Sequence, residues 1–294
     1  MGIRETGIAA VLAVSFLGGA ASAQTLTVGS KNFVEQYVVA ELYAVSLEAA
    51  GFKVSRKMNQ GSTQIVHEQL RKGVIDLYPE YTGTGLVVVM NASGVGETDP
   101  QKVYATVKAH YEKEFKLTWL KPSGVNNGRV MVVRSETAQS MNLKTLSDLA
   151  RVSSRMTLGA GSEFGERRDG LVGLKEIYGI EFADYRRFPA LRVRYKALLN
   201  KEIDIVGGFA TDPQIAAGEL VTLKDDKALF PPYFLAPVVR TIVASNPKAV
   251  EALERVGALI DNTTMQELIE QVALNDKEPR HVAVEFLKSR GVLR

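Results

Sequence analysis

Cationic and aromatic side chains stand beside short apolar runs and stiff turns in this sequence. They are Lys31 after the run Leu26–Val28, Tyr81 and Thr84 in the segment Tyr78–Thr84, and Tyr233 in Phe230-Pro-Pro-Tyr233. Proline and glycine favour turns in the later segments, so these side chains are expected to open onto a cleft. A rigid aromatic ring loses little entropy around a ligand, although each tyrosine alone is more typical of core packing. Together they favour a binding site for a small polar molecule.

Residue types that could form a catalytic or metal site are scarce. The chain has three histidines and no cysteine, which argues against a soft-metal site. His67 and His110 fall in helical patterns without an obvious ligand partner four residues on. No hydrolase, phosphate-binding or dinucleotide glycine motif occurs, and Gly159-Ala-Gly161 lacks a third glycine. The sequence therefore predicts no catalytic residues, no metal and no cofactor, and we expect a protein that is not an enzyme.

Helix-like and strand-like segments alternate along most of the chain, which predicts an α/β fold with a mainly parallel sheet. The expected helices are 32–50, capped by Asn32 and followed by Gly51, 191–200, and the stretch from Pro247 with breaks near Asp261, Asn275 and Pro279. The expected strands include Leu26–Val28, Val74–Leu77, Met156–Leu158 and Ile203–Val206.

The two halves of the chain share a local pattern. The matching segments are Leu26-Thr-Val-Gly-Ser30 with Thr157-Leu-Gly-Ala-Gly-Ser162, and Lys72-Gly-Val-Ile-Asp76 with Lys201-Glu-Ile-Asp204. An aromatic residue follows each aspartate by five positions, Tyr81 in one half and Phe209 in the other. Chance similarity of two βα units is the alternative. Because ligands bind beyond the carboxyl ends of strands in open α/β sheets, two like-built lobes would line one cleft from both sides.

The first 23 residues have the order of a secretory signal peptide. Arg4 precedes an apolar stretch from Ile8 to Leu17, and small residues end at Ala23. The apolar stretch is too short for a bilayer, which needs roughly 20 residues, so a membrane anchor is the less favoured alternative. We expect cleavage before Gln24 and release into the periplasm. Without cysteine, neither a lipid anchor nor a disulfide is expected.

The charge of the chain gives no sign of a nucleic-acid partner. The formal net charge is +3, and the basic residues are scattered. A nucleic-acid-binding protein usually carries a basic stripe or a known reading motif. We expect a mildly basic, solvated surface and a monomer.

Five spaced motifs together resemble one protein family. They are Gly29-Ser-Lys-Asn-Phe-Val-Glu35, Tyr78-Pro-Glu-Tyr-Thr-Gly-Thr-Gly85, Glu163-Phe-x-x-Arg-x-Asp-Gly170, Phe209-Ala-Thr-Asp212 and Phe230-Pro-Pro-Tyr233. From about Leu26 to the C-terminus, the chain resembles the glycine betaine/choline-type periplasmic substrate-binding proteins of osmoprotectant ABC importers.

The resemblance implies a two-lobed, type II-like periplasmic binding protein with a ligand cleft between the lobes and two hinge strands. Lobe 1 would comprise residues 24–128 and 235–294, and lobe 2 residues 129–234. Such a protein closes on a small solute and delivers it to the membrane permease of an ABC transporter.

The resemblance also implies a role for each candidate site residue. Lys31 and Arg167 would bind the carboxylate of a betaine, with Thr84 as an additional polar contact. Tyr81, Phe209 and Tyr233 would form part of an aromatic box around the quaternary ammonium. The chemistry is consistent, because a ring face attracts a methylated ammonium by about 0.5–2 kcal/mol and a planar guanidinium matches a carboxylate.

Arg129 is the main departure from the family pattern. In Asn126-Asn127-Gly128-Arg129 it takes the position of a box aromatic, while Phe209 keeps the ring of a common tyrosine without the hydroxyl. A guanidinium about 4 Å from a quaternary ammonium would cost about 4 kcal/mol at an effective dielectric constant of about 20.

Two hypotheses follow for Arg129. In the first, it joins Lys31 and Arg167 as a third cation, and the ligand is a more anionic molecule such as a dicarboxylate, an amino-acid conjugate or a zwitterion with a distant second anionic group. In the second, it turns to solvent or stacks on Tyr81, and a betaine binds. We favour the first. Choline, which has no carboxylate, is the least favoured family ligand in both.

An effector-sensing domain and a two-lobed enzyme are the alternatives on the same architecture. The first would normally lack a signal peptide and carry a DNA-binding helix pair, and the second needs a nucleophile or base in the cleft. The sequence shows none of these features, so ABC solute binding is the favoured interpretation.

Overall fold

The computed structural model describes residues 2, 25–216 and 219–293. Apart from Gly2, the predicted signal peptide lies outside the described residues, as does Gln24. The strands in this part of the chain are β1 Thr25–Gly29, β2 Lys53–Lys57, β3 Leu77–Tyr81, β4 Leu117–Trp119, β5 Arg129–Arg134, β6 Thr157–Ala160, β7 Asp184–Arg187, β8 Ile205–Phe209, β9 Leu220–Leu223 and β10 Leu235–Arg240.

These strands form two five-stranded sheets with the same plan. The strand orders are β2-β1-β3-β10-β4 and β7-β6-β8-β5-β9. We call the region built on the first sheet lobe 1 and the region built on the second lobe 2. Helices cover the sheets, and the predicted two-lobed α/β fold is confirmed.

The expectation of a mainly parallel sheet holds for four of the five strands of each sheet, and the exception is the strand that enters from the other lobe. β1 pairs in parallel with β2 and β3, whereas β10 runs antiparallel to both β3 and β4. In lobe 2, β5 likewise runs antiparallel to β8 and β9. A strand that arrives directly from the neighbouring lobe has no crossover helix to reverse its direction, so it runs against the strands beside it.

The described helices surround both sheets. They are α1 Val34–Ala49, α2 Thr63–Arg71, α3 Thr82–Thr84, α4 Pro100–Phe115, α5 Ser135–Ser140, α6 Leu146–Ala150, α7 Leu171–Tyr178, α8 Leu191–Leu199, α9 Pro213–Ala216, α10 Thr241–Ala244, α11 Pro247–Leu259, α12 Asn262–Ala273 and α13 Pro279–Ser289. A π-helical turn spans Gly85–Val89, and 3-10 turns span Ser153–Arg155 and Ser162–Gly165. Among the residues described, no helix combines the length and apolar character needed to cross a bilayer.

Helix α1 forms the centre of the lobe 1 core. It begins one residue after Phe33, so Asn32 is not its N-cap as predicted, while Gly51 adopts the expected left-handed conformation with φ of 89° after its end. Its side chains are buried on all faces because the sheet lies on one side and α11, α12 and α13 pack on the other. This packing fixes the N-terminal end of α1 beside the carboxyl end of β1.

Two crossing segments connect the lobes and lie side by side. Residues 120–128 lead from β4 to β5, and residues 224–234 lead from β9 to β10. An antiparallel bridge joins Asn126 to Phe234, and the Asn127 amide donates to the Tyr233 carbonyl oxygen at 3.1 Å. The lobes are therefore connected by two crossing segments that are hydrogen-bonded to each other.

The segment Tyr78–Tyr81, which the sequence predicts to be a turn, is the buried strand β3. Proline is normally excluded from such a position because it cannot donate a ladder hydrogen bond. Here Pro79 lies directly opposite Pro237 of β10, and β3 pairs with β1 only at Leu77. The Pro79 carbonyl oxygen accepts from Gln36 Nε2 at 2.9 Å, and the Pro237 carbonyl oxygen accepts from the Leu120 amide at 3.0 Å, so both carbonyl groups find donors outside this pair.

The local repeat seen in the sequence has the same structural role in both lobes. Asp76 accepts a hydrogen bond from the Thr27 amide at 2.8 Å, and Asp204 accepts one from the Thr157 amide at the same distance. Each carboxylate also meets an arginine at the end of the strand that enters from the other lobe. Arg240 is 2.8 Å from Asp76, and Arg134 is 3.6 Å from Asp204.

We predict that Asp76→Ala lowers the unfolding free energy by about 1–3 kcal/mol, because it leaves the Thr27 amide and the Arg240 guanidinium without their acceptor. Asp204→Ala is the matched control and is expected to cost less, since Asp204 is 37% exposed against 12% for Asp76. Thermal unfolding of both variants measures the difference. Equal losses would show that burial of the carboxylate does not set the strength of this contact.

Candidate ligand-binding site

A cavity of about 680 Å³ lies between the two lobes. Side chains of both sheets, both crossing segments and helices α1, α8 and α12 line it. All seven predicted site residues are among them, namely Lys31, Tyr81, Thr84, Arg129, Arg167, Phe209 and Tyr233. Within the described residues, no group of three or more histidine, aspartate or glutamate side chains is arranged to hold a metal ion.

Equivalent strand ends place the site residues on opposite walls. Tyr81 is the last residue of β3 in lobe 1, and Phe209 is the last residue of β8 in lobe 2. Lys31 follows β1, and Arg129 opens β5. Tyr233 lies on the second crossing segment, where its amide donates to Asn126 Oδ1 at 2.8 Å. The repeat in the sequence therefore corresponds to two facing walls of one cavity.

Lys31 is held in the cavity wall by a buried carboxylate. Its Nζ atom lies 2.5 Å from Glu80 Oε1, and the two side chains are 5% and 0% exposed. Burial lowers the pKa of Lys31, Glu80 acts against that effect, and the nearby Arg167 lowers the pKa further. The ammonium also lies 4.9 Å from the Tyr81 ring centroid. Glu80 thus fixes the position of the ammonium and offsets its charge.

Asp169 joins three of the predicted site residues. It accepts two hydrogen bonds from Arg167, both at 2.6 Å, and one from Arg129 Nε at 3.1 Å. The Tyr233 hydroxyl donates to the same carboxylate. Burial alone would raise the pKa of Asp169, but the Arg129 charge and the Arg167 hydrogen bonds hold it well below its ordinary value. The carboxylate is therefore ionised and holds both guanidiniums at the cavity wall.

Arg129 lies in the cavity wall, with 11% of its side chain exposed, and does not contact Tyr81. Its guanidinium carbon lies 5.4 Å from the ring centroids of both Phe164 and Phe209. The orientation is that of the first hypothesis, but the expected charge is not, because Asp169 pairs with the guanidinium. Arg129 thus lines the cavity as a compensated cation over two rings.

Phe33 adds an aromatic ring that the sequence reasoning did not assign to the site. Its ring is stacked 6.4 Å from that of Tyr81 and 6.1 Å from that of Phe209, measured between centroids. The two contacts lie on opposite lobes. Phe33 therefore continues the aromatic surface across the interlobe boundary.

Glu35 forms a hydrogen-bonded link between the lobes. Its carboxylate accepts from the Tyr81 hydroxyl at 2.5 Å, from Asn127 Nδ2 at 2.9 Å and from the Thr211 hydroxyl of lobe 2 at 2.5 Å. Burial raises the pKa of Glu35, although the three hydrogen bonds oppose that effect. Together with Gln266 Nε2, which donates to the Ala210 carbonyl oxygen at 3.1 Å, this link holds the lobes in contact.

Asp212 is a buried carboxylate on the lobe 2 wall. It accepts from the Tyr195 hydroxyl at 2.7 Å and from the Phe209 amide at 2.8 Å. Burial raises the pKa of Asp212 to about 7. Because the Phe209 amide is one of its donors, Asp212 fixes the backbone that carries the Phe209 ring.

The residues that sequence reasoning missed stand inside the motifs that it used. Phe33, Glu35, Glu80 and Asp169 all belong to the quoted segments. Acidic residues next to expected ligand-binding cations carry a signal, since a buried cation needs a partner. The motifs alone do not show which acid faces which base.

We predict that Asp169→Asn lowers the unfolding free energy by about 3–5 kcal/mol, because it leaves two buried guanidiniums without their carboxylate. The loss should be constant above about pH 5 and shrink below about pH 4, since a carboxylate with a depressed pKa stabilises the fold above its unfolded pKa of about 3.9. Denaturation of both proteins across pH measures this. Glu163→Gln, an exposed carboxylate 3.9 Å from Arg167, is the control and should change little.

For Asp212→Asn we predict the opposite pH dependence. A carboxyl with a raised pKa stabilises the fold below its unfolded pKa and loses that contribution as the pH rises through the folded value of about 7. Relative to the wild type, the unfolding free energy of the variant should increase by up to about 1.4 kcal/mol per pH unit between about pH 4 and 7. Above that range the difference should stay constant. Parallel stability curves would contradict a raised pKa at this position.

The known proteins to which this chain is similar are components of transport systems. The chain is 35% identical over 269 residues to the ergothioneine transport permease/ergothioneine binding protein of Helicobacter pylori, covering 91% of this chain but 48% of that protein. It is 33% identical to the carnitine transport binding protein of Listeria monocytogenes, with 93% and 89% of the two chains covered. A crystal structure of a glycine betaine/carnitine/choline ABC transporter matches with a TM-score of 0.75 and 29% identity, over 91% of this chain and 99% of that one.

The model of one protein family matches nearly the whole of the described chain. Its description is the substrate binding domain of ABC-type glycine betaine transport systems, and the match spans residues 24–289. The motifs that suggested this resemblance lie within the matched range. The chain therefore belongs to the family of substrate-binding domains of ABC-type glycine betaine transport systems.

Proposed function

We propose that this protein captures a betaine-type zwitterion in its interlobe cavity and delivers it to the membrane permease of an ABC importer. One observation carries the proposal: Lys31, Arg167 and several aromatic rings line the same cavity. The charge of Arg167 lowers the pKa of Lys31, so the two cations lie near each other. Such a pair favours the binding of an anion between them. The rings offer faces to a methylated ammonium.

The roles proposed for the individual residues follow from these contacts. Lys31 and Arg167 bind the ligand carboxylate, with Thr84 beside them. Tyr81, Phe209 and Tyr233 surround the ammonium, together with Phe33, and Arg129 closes the wall behind Phe209. Because Asp169 shares its negative charge between Arg129 and Arg167, Arg129 repels a nearby quaternary ammonium less than an unpaired guanidinium would.

Relatives support zwitterions as the ligand class. The names of three relatives specify ergothioneine, carnitine and glycine betaine, all of which combine a carboxylate with a quaternary ammonium, while the name of the matching crystal structure also includes choline. Choline lacks the carboxylate, which leaves Lys31 and Arg167 without their ligand. We therefore propose a betaine, rather than a dicarboxylate that lacks an ammonium, as the ligand.

The cellular role follows from the family. We propose that residues 1–23 are removed as a signal peptide and that the protein works in the periplasm as a monomer without a lipid anchor. Residues 24–128 with 235–294 and residues 129–234 would move as two bodies about the paired crossing segments. Closure would expel water from the cavity, and the closed form would dock on the permease.

We predict that purified residues 24–294 bind glycine betaine, carnitine or ergothioneine, with choline at least about tenfold weaker than the best of them. Isothermal titration calorimetry measures the affinities. Thermal unfolding supports the result, since a ligand at about 100 times its dissociation constant adds about 2.7 kcal/mol. Binding of none of these compounds, or a preference for choline, would refute the proposal.

Lys31→Met tests the carboxylate subsite. Losing one partner of a buried charge contact costs about 2–5 kcal/mol, so the affinity for betaines should fall by about 30-fold or more. The single variant also leaves Glu80 buried without its cation, so the matched control is the Lys31→Met/Glu80→Gln double variant. The double variant should regain stability but not affinity, whereas recovered affinity would mean that Lys31 has only a structural role.

A further inference from the structure

A second set of polar side chains lines the lobe 2 wall of the cavity and takes no part in the contacts described above. Arg194 on α8 is 5% exposed and lines the cavity, as does Gln214 on α9. Arg194 Nε and Gln214 Oε1 are buried, and neither has a hydrogen-bond partner among the described residues. A donor and an acceptor of the cavity wall are thus unused.

Arg194 differs from the other arginines buried near the site. Arg129 and Arg167 share Asp169. Arg194 forms no salt bridge with any carboxylate in the described part of the chain, where its hydrogen bond runs from Nη1 to the Gly207 carbonyl oxygen at 2.5 Å. One carbonyl group does not satisfy the donors of a buried guanidinium.

Asp212, the carboxylate whose charge acts on Arg194, does not serve as its partner. Its hydrogen bonds come from Tyr195 and Phe209, and its pKa of about 7 leaves it only partly ionised at neutral pH. Burial lowers the pKa of Arg194, Asp212 acts against that effect, and Arg129 adds repulsion. A buried cation that is left uncompensated is costly, which indicates that its counterpart comes from outside the chain.

From this geometry we infer that Arg194 forms a second ligand subsite for a hydrogen-bond acceptor other than the carboxylate held by Lys31 and Arg167. This inference rests on the proposed function and narrows it. The ligand would be an amino-acid betaine whose side chain carries a strong acceptor, either a carboxylate or a thione sulfur. The cavity volume of about 680 Å³ agrees, because it lies in the range that encloses drug-sized ligands and exceeds what glycine betaine fills.

Two matched pairs of betaines test the subsite on the wild-type protein by isothermal titration calorimetry. N,N,N-trimethylaspartate differs from N,N,N-trimethylalanine by a carboxylate, and ergothioneine differs from N,N,N-trimethylhistidine by the thione sulfur. We expect one acceptor-bearing compound to bind at least about 30-fold more tightly than its parent, as for a buried charge-assisted contact. The pair that shows the difference identifies the acceptor.

The outcomes separate this inference from the proposed function. If the parents bind and neither acceptor improves affinity, the second subsite is refuted and betaine capture stands. If none of the four compounds binds and glycine betaine and carnitine also fail, both ideas fall. Tighter binding of the acceptor-bearing compound in one pair supports both the second subsite and betaine capture.

Variants assign the gain to particular residues. Arg194→Gln should abolish the preference within the winning pair while the parent compound keeps its affinity. Arg192→Gln is the matched control, because Arg192 lines the same cavity on α8 but is 64% exposed and pairs with Asp276 at 3.4 Å. Thermal unfolding checks that each variant is folded.

Arg194→Lys provides a second variant in case Arg194→Gln fails to fold. It keeps the positive charge but removes the planar guanidinium, so the preference should fall by about three- to tenfold. An unchanged preference in the folded variants would overturn the assignment of the subsite to Arg194.

Discussion

The site depends on one buried carboxylate. Asp169 brings together Arg167 of a lobe 2 loop, Arg129 at the start of β5 and Tyr233 of the crossing segment. Two guanidiniums would otherwise repel each other in a medium of low dielectric constant. Because Asp169 neutralises only one of the two charges, the cavity wall keeps positive character for a ligand carboxylate. The same contact ties the segment that joins the lobes to the loop that meets the ligand.

Burial of charge follows a consistent pattern around the cavity. Lys31 is matched by Glu80, and Arg129 with Arg167 by Asp169, whereas Glu35 and Asp212 have raised pKa values. The ionised side chains around the cavity thus carry a net positive charge. A zwitterion brings an anion for the cations and an ammonium for the rings, so it enters such a cavity with less loss of hydration than either ion alone.

Sequence reasoning predicted the fold class correctly, and the seven residues that it proposed for the site all line the cavity. Both predictions depend on local patterns and a combination of motifs. It could not find the pairing of Asp169 with Arg129, since that contact joins segments 40 positions apart in the chain. Arg129 was therefore read as a free cation. The segment Tyr78–Tyr81 was interpreted as a turn because the donor of the Pro79 carbonyl, Gln36, lies 43 positions away and is recognised only in the folded chain.

The strand exchange between the lobes also sets an order of assembly. All the strands of the lobe 2 sheet lie between Arg129 and Leu223, so that sheet is complete before β10 is available. In lobe 1, β4 pairs only with β10 within the described residues, and β3 keeps an open edge until Leu235–Arg240 arrives. Pairing across so long a stretch of chain is slow, and an unpaired apolar edge is prone to aggregation. A newly made chain should therefore form lobe 2 first and depend on the segment from Leu235 onward to protect lobe 1.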